Sequence, residues 1–405
     1  MPGLKRSFDT DAALRHVSEH CFTSTGSERV GIELELITYP SHNPSEIVDF
    51  PALKTAATSA TSRGPLGAGS IISFEPGGQV EVSSVPHAGA ASACMATAKD
   101  ERELLKRLSE GGFSVHSTAI DPILDRPRVV GGQRYEAMER GFDSRNRFGR
   151  QMMRNTAALQ VNIDLGGDGQ TRWETAHNIG PMLIAAFANS PMAAGRPTPW
   201  KSTRMAIWSA IDPSRTMPAL GASGYVADWT NFALAAQVLF MKATETRFVP
   251  ITSAFSFRRW IEQGHELGYP TEDDFAYHLT TLFPPVRAKG WLEIRVIDSL
   301  PAPWWRVATA LTCVLLQDAD ALDKAADLIS KSKDLWTEAW SSGLDHPTLA
   351  QAADACFVAV MDAMPTSRVD ITTASAISDY YERFIARRRT PADEQIDLMS
   401  AKIGP

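Results

Sequence analysis

Polar and apolar residues alternate in four separate segments of the chain, and each segment predicts a β-strand with one polar face. In residues 31–36, Glu33 and Glu35 point to one face and the aliphatic residues between them to the other, because successive strand residues face opposite sides. The pattern recurs in three later segments. The polar faces together carry Glu33, Glu35, Gln79, Glu81, Gln160, Asn162, Asp164, Glu293 and Arg295.

These faces could lie open to water or could surround a cation. Two carboxylates on one strand face lie roughly 6.7 Å apart, and their repulsion is on the order of 2.5 kcal/mol at a dielectric constant near 20. A solvated face normally includes lysine and hydroxyl residues, and these four faces have none. The four strands together favour a carboxylate-lined concave surface. Oxygen ligands of this kind suit Mg²⁺, or Mn²⁺, and not zinc.

The remaining patterns predict an α+β fold. Two short strands flank the turn Pro76-Gly77-Gly78, which indicates a hairpin, and helical periodicity predicts long helices over residues 88–108, 173–188 and 306–329. Because the polar-faced strands are spread over most of the chain, we expect one antiparallel or mixed sheet with helices packed on its apolar face.

The chain divides by element type into two regions. Residues 1–303 carry the strands and form the expected catalytic core, and residues 304–405 read as helical throughout. We expect the helical region to pack on the core as part of one structural unit.

Composition excludes several classes of function. The chain has 405 residues, and its net charge of −7 gives no basic footprint for nucleic acid or for an anionic membrane. Its apolar runs are too short to span a bilayer. The four cysteines form no C-x-x-C pair, so neither a zinc site nor a disulfide framework is expected, and we assign no metal to the nine histidines. A cytoplasmic protein is expected.

Common nucleotide and nucleophile motifs are missing from the sequence. It contains no P-loop, no G-x-G-x-x-G after a strand and no G-x-S-x-G elbow. A bound nucleotide would therefore need metal ions or local arginines to neutralise its phosphates.

An ordered set of segments resembles the glutamate–cysteine ligases of the plant and actinobacterial type. The likeness extends from residue 31 to residue 300, about two thirds of the chain. The segments that carry it are residues 31–35, 74–81, 134–135, 152–156, 160–164, 201–208, 212–216, 278–284 and 286–295.

The resemblance implies a glutamine-synthetase-like catalytic cradle whose concave sheet face holds ATP, Mg²⁺ and glutamate. It implies the ligation of L-glutamate to L-cysteine with ATP, giving γ-glutamylcysteine, ADP and phosphate. The chain looks most similar to the branch that supplies ergothioneine synthesis. The expected partners are these small molecules, and a monomer is favoured.

The resemblance also implies roles for individual residues. The catalytic arginines would be Arg295, which stabilises the transferring phosphoryl group, and Arg204. ATP phosphates would contact Arg215, Lys289 and Arg295. Glutamate would contact Arg134, Met153, Thr156 and Arg204, and Gln79 is a possible ligand or orienting group. Two or three metal ions would be held by Glu33, Glu35, Glu75, Glu81, Asn162 and Glu293.

Three alternatives stay open at this point. The same cradle could join glutamate to an amine other than cysteine, or it could stop at phosphoryl transfer. A catalytically silent metabolite-binding protein is the third alternative, although every acidic and basic position that a working site needs is present.

Overall fold

Strands that are distant in sequence assemble into one sheet, as predicted. The computed structural model describes residues 8–23, 26–58, 65–244, 247–364 and 369–403. The strands are β1 (Val30–Pro40), β2 (Ile71–Phe74), β3 (Val80–Ser83), β4 (Phe113–His116), β5 (Ala158–Ile163), β6 (Met192–Ala193), β7 (Arg196–Pro197), β8 (Phe240–Lys242), β9 (Phe248–Pro250), β10 (Val286–Ala288) and β11 (Leu292–Asp298).

Within the described residues, seven strands form the main sheet, and every pairing in it is antiparallel. The order is β10-β11-β5-β1-β3-β2, and β4 pairs with the C-terminal part of β1. At eleven residues β1 is long enough to pair with β5, β3 and β4 along different parts of its length. Strands β6–β7 and β8–β9 form two small separate ribbons.

The alternation read from the sequence decides which face of the sheet is buried. In β1 the side chains of Ile32, Leu34 and Leu36 are fully buried, whereas Glu33 and Glu35 are only partly buried. The apolar residues join a single hydrophobic core with the neighbouring helices. The sheet therefore has one apolar, helix-covered face and one polar face, which confirms the α+β class.

The helices account for most of the rest of the chain. No helix among the described residues has both the length and the apolar character needed to cross a bilayer. The α-helices of the described residues are α1 (Thr10–His16), α2 (Phe50–Thr58), α3 (Ala90–Glu110), α4 (Gln133–Asp143), α5 (Phe148–Asn155), α6 (Gly169–Asn178), α7 (Gly180–Ala186), α8 (Thr203–Ile211), α9 (Pro213–Thr216), α10 (Tyr225–Ala235), α11 (Phe257–Gln263), α12 (Glu272–Leu279), α13 (Trp304–Gln317), α14 (Ala319–Ser332), α15 (Trp336–Ser341), α16 (Pro347–Ala363), α17 (Ile371–Arg383) and α18 (Pro391–Ile403).

Two of the predicted long helices are each divided in two. The segment 173–188 falls in α6 and α7, and Pro181, which has no N–H to donate, lies at the start of α7. The segment 306–329 falls in α13 and α14. Asp318 interrupts it with an extended backbone, and its side chain caps α14 by accepting a hydrogen bond from the Ala321 N–H at 3.0 Å. Periodicity alone missed both breaks because apolar residues continue across them.

The C-terminal helices share the hydrophobic core with the sheet-bearing region. The Tyr380 hydroxyl donates to the Ala186 carbonyl at 2.8 Å, and the ring centroid of Phe357 lies 6.0 Å from that of Phe187. These contacts are consistent with one structural unit, while the boundary at residue 303 remains a prediction.

Candidate active site

The polar face of the sheet forms the floor of a cavity of about 220 Å³. Strand register brings the acidic residues together, because Glu35 lies directly opposite Glu81 on β3, and Glu33 lies opposite Gln160 on β5. Nine of the residues predicted for the site line this cavity. They are Glu33, Glu35, Glu75, Gln79, Glu81, Arg134, Met153, Thr156 and Arg295.

Hydrogen bonds fix the two carboxylates of β1. The two carboxylate oxygens of Glu35 accept hydrogen bonds from the Ala158 N–H at 2.8 Å and the Gln160 amide at 2.9 Å. Glu33 accepts one from the Asn162 amide at 3.1 Å. These neutral donors orient the two carboxyl groups but supply no positive charge to them.

Burial and mutual repulsion make the acidic groups reluctant to ionise. Burial, followed by the charges of Glu293 and Glu81, raises the pKa of Glu33 to about 7. Burial and Glu81 raise the pKa of Glu35 to about 7, and burial with Glu35 and Glu81 raises that of Glu75 to about 8. A divalent cation at this place would remove the repulsion and favour the ionised forms.

Glu293 forms ion pairs with a cluster of three cationic side chains. Arg287 contacts it with two nitrogens, at 2.6 and 2.9 Å, while Lys289 lies 2.9 Å and Arg295 2.8 Å away. Burial alone would raise the pKa of Glu293, but the charges of Arg287, Arg295 and Lys289 hold it well below its usual range. Glu293 is fully buried and does not line the cavity, so as it stands it is a counter-ion for these cations.

Arg295 connects the cationic cluster to the cavity. Its Nη1 contacts both the Glu293 carboxylate and the Gln160 side-chain oxygen, and its guanidinium lies 5.4 Å from the Trp208 ring centroid and 5.9 Å from that of Phe283. The same guanidinium lines a second, mostly apolar pocket together with Arg204, Trp208 and Phe283. Arg295 therefore lies between an acidic compartment and an apolar one.

Four predicted residues do not line this cavity but contact residues that do, or the partners of such residues. Arg204 is 2% exposed and donates to the Arg295 carbonyl at 2.6 Å, so it supports the strand that carries Arg295. Asn162 bridges Glu33 and Trp291, whose indole N–H donates to it at 2.7 Å. Like Glu293, Lys289 belongs to the cationic cluster.

The expectation that Arg215 contacts ATP phosphate requires correction. Its side chain is fully buried, and its Nε pairs with Asp212 at 2.9 Å. Its remaining nitrogens donate to the backbone carbonyls of Thr281 and Gln237. Arg215 lines neither pocket and joins three chain segments of the core, and its cationic residue type alone could not reveal this.

Gln79 acts on the backbone at the cavity edge. Its side-chain oxygen accepts from the Gly77 N–H at 3.0 Å, and its amide donates to the Thr156 carbonyl at 2.8 Å. Both ends of the side chain are therefore engaged, which favours the orienting role over the ligand role. The Thr156 hydroxyl in turn donates to the Met152 carbonyl at 2.7 Å.

Several lining residues were not predicted, among them Arg287, Tyr135, Trp208 and Phe283. The signal for Arg287 was present, because the hairpin β10–β11 places it directly opposite Glu293. Trp208 lies four residues after Arg204, on the same side of α8.

Comparison with known proteins identifies the family. The sequence profile of glutamate–cysteine ligase family 2 (GCS2) matches residues 29–390. The chain belongs to glutamate–cysteine ligase family 2. This confirms the resemblance found in the sequence.

The relatives of this GCS2 protein agree with that assignment. It is 34% identical to the glutamate–cysteine ligase EgtA of Mycobacterium tuberculosis (strain ATCC 25618 / H37Rv) over 404 residues, covering 97% of this chain and 91% of the relative. It is 30% identical to the chloroplastic glutamate–cysteine ligase A of Oryza sativa subsp. indica over 278 residues, 64% of this chain and 54% of the relative.

The fold of the GCS2 protein also has a solved counterpart. The glutamate–cysteine ligase of Francisella tularensis, determined in complex with AMP, superposes with a TM-score of 0.55 at 14% identity, covering 93% of this chain and 86% of that one. The likeness confirms the predicted glutamine-synthetase-like cradle.

The carboxylates of the GCS2 cavity do not form a preformed metal cage, but their arrangement suits Mg²⁺. In the described part of the chain, no three of its carboxylate oxygens come within 4.8 Å of one another. Mg²⁺ usually binds through one or two carboxylates together with substrate phosphates and water. The oxygen donors and their unneutralised charge suit an ion that enters with a nucleotide.

We predict that Glu75→Gln changes how stability depends on pH. Folding raises the pKa of Glu75 from 4.5 to about 8, so ionisation of this group destabilises the folded state. The loss in the free energy of unfolding is absent below pH 4.5 and grows as the pH rises to about 8. Without divalent ions, the variant should gain stability over the wild type between pH 5.5 and pH 8.5, as measured by urea unfolding. Glu382→Gln, at an exposed position in α17, is the matched control. Parallel pH profiles for Glu75→Gln and wild type would contradict the prediction.

We predict that Gly77→Ala destabilises the turn that carries Glu75 and Gln79. A Cβ at Gly77 would overlap the backbone carbonyl of Arg154, which cannot move away as a flexible side chain could. The expected loss is about 1–3 kcal/mol in the free energy of unfolding, measured by urea titration. Gly131→Ala, in a nearby loop with open space around the position, should cost far less. Equal losses in both variants would argue against close packing at this turn.

Proposed function

We propose that this protein is an ATP-dependent ligase that joins the γ-carboxylate of L-glutamate to the amine of L-cysteine, with γ-glutamylcysteine, ADP and phosphate as products. The observation that carries the proposal is the paired arrangement of the cavity, in which partly buried carboxylates face an arginine cluster centred on Arg295. The family membership and the nearly full-length similarity to EgtA support it. The product would feed ergothioneine synthesis, as the sequence resemblance implies.

The reaction needs an activated carboxylate. A γ-carboxylate oxygen of glutamate attacks the γ-phosphorus of ATP, ADP leaves, and an acyl phosphate forms. The cysteine amine then attacks the acyl carbon, phosphate leaves with its oxygen, and the amine loses a proton. Because phosphoryl transfer depends on alignment and charge neutralisation, a site without a covalent nucleophile is sufficient.

Magnesium would contribute charge neutralisation at the phosphate oxygens. The residues that would hold it are the cavity carboxylates Glu33, Glu35, Glu75 and Glu81, with Asn162 holding Glu33 in place. Glu293 could join them only by leaving its three cationic partners.

The arginine cluster supplies the positive side of the site. Arg295 reaches the cavity and would stabilise the charge on the transferring phosphoryl group. Arg287 also lines the cavity and, with Lys289, fixes the Glu293 carboxylate that holds Arg295. Arg204 acts through the Arg295 backbone, and so is better described as a positioning residue than as a catalytic one.

Other residues of the cavity lining would receive glutamate. They are Arg134, whose guanidinium lies 5.9 Å from the Tyr277 ring centroid, and Met153 and Thr156. A guanidinium is suited to clamp a substrate carboxylate with two hydrogen bonds.

The reaction is tested by product analysis. Purified protein with ATP, Mg²⁺ and glutamate should release ADP in quantity only when L-cysteine is added, and mass spectrometry should find γ-glutamylcysteine. A panel of other amino-acid acceptors tests the alternative ligase on the same cradle. Preference for a different amine would overturn the cysteine assignment, and ADP release with a stable phosphorylated product would favour a phosphotransferase.

We predict that Arg295→Ala lowers kcat by about 100- to 1000-fold, because the lost charge acts mainly in the transition state. The KM for ATP should change much less, as steady-state kinetics would measure. Arg259→Ala, at an exposed position of α11, is the matched control and should keep wild-type kinetics. A loss confined to the KM for ATP would reduce Arg295 to a ground-state contact.

A further inference from the structure

Two histidines and a glutamate converge on the surface outside the cavity. His16 ends α1, His20 lies in the π-helical turn Val17–Cys21 that continues it, and Glu272 begins α12. His16 Nδ1 lies 2.9 Å from a Glu272 carboxylate oxygen, and the two imidazole centroids are 4.6 Å apart. One ligand atom from each residue lies within 4.8 Å of the other two, and this is the single such group among the described residues.

The backbone that carries these ligands is well fixed. Residues four apart on a helix lie on the same side, so His16 and His20 face one direction. His16 is 9% exposed and meets the Phe275 ring edge-on at 5.6 Å, which ties it to α12. A capping box of Thr271 and Asp274 fixes the start of that helix beside Glu272. Single π-helical turns occur frequently at functional sites.

We propose that His16, His20 and Glu272 bind a divalent transition-metal ion, with Zn²⁺ as the representative species. Two imidazole nitrogens and one carboxylate oxygen form a ligand set typical of zinc, with water completing a tetrahedron. Bonds of about 2.1 Å place tetrahedral ligands about 3.4 Å apart. The side chains of His20 and Glu272 are exposed, so they can rotate to close this distance without disturbing the core.

The site is independent of the proposed ligase reaction. Its nitrogen ligands disfavour Mg²⁺, which prefers oxygen, so the two kinds of ion can be separated experimentally. Metal binding would join α1 to α12, whose C-terminal end leads to Thr280 at the cavity. Occupancy should therefore stabilise the folded protein even without substrates.

Local sequence patterns do not reveal this group of three ligands, because Glu272 is 256 residues from His16. For this reason no metal was assigned to the histidines from the sequence.

The experiment uses the full chain without a histidine tag, in excess Mg²⁺ so that the carboxylate cavity is not open to zinc. Calorimetric titration should give one Zn²⁺ per chain, and the thermal midpoint should rise with Zn²⁺. His20→Ala and Glu272→Gln, both at exposed positions, should each weaken binding at least about tenfold and remove the thermal shift. Co²⁺ should give the absorption bands of a tetrahedral site in the wild type and in neither of these two variants.

The matched control is His42→Ala, which removes an exposed histidine that pairs with Glu46 at 3.1 Å. It should bind Zn²⁺ as the wild type does. The proposal is overturned if the wild type binds no Zn²⁺, or if His20→Ala and Glu272→Gln bind as tightly as the wild type. A site that survives these variants and disappears in Glu75→Gln would assign zinc to the cavity and would equally overturn it.

Discussion

Glu33, Glu35 and Glu81 lie on one face of two neighbouring strands, and their repulsion in a half-buried cavity is the constraint on which the site depends. Register places Glu35 directly against Glu81, an arrangement that destabilises a sheet unless something compensates for the charge. Burial first, and repulsion from neighbouring carboxylates second, raise the pKa values of Glu33 and Glu35. A divalent cation bound between these carboxylates, as we propose, would relieve their repulsion.

The cationic side of the cavity is stabilised in a different way. Glu293 is the shared partner of Arg287, Lys289 and Arg295, so it holds three like charges together with a single buried carboxylate. Arg204 adds support from behind through the Arg295 carbonyl. This arrangement keeps Arg295 at the boundary of the acidic cavity before any substrate arrives, and preorganised charge of this kind is what stabilises a transition state efficiently.

Features of the fold and the site that follow from a local sequence pattern could be predicted. Residue roles that depend on contacts between distant segments could not. Alternation alone correctly gave the polar face with Glu33, Glu35 and Glu81, because period two leaves no choice of face. The role of Arg215 could not be predicted, since its partners Asp212, Gln237 and Thr281 meet only in the fold. The helix breaks were not predicted because the apolar periodicity continues past the capping residue Asp318.

We propose that the acidic residues of the sheet converge to hold divalent ions together with a nucleotide. The most direct measurement is a crystal structure with Mn²⁺ and a non-hydrolysable ATP analogue, recorded at a wavelength where manganese scatters anomalously. We expect anomalous peaks within coordination distance of Glu33, Glu35, Glu75 or Glu81, with Arg295 near the terminal phosphate. Manganese bound elsewhere, or a nucleotide bound away from this cavity, would contradict it.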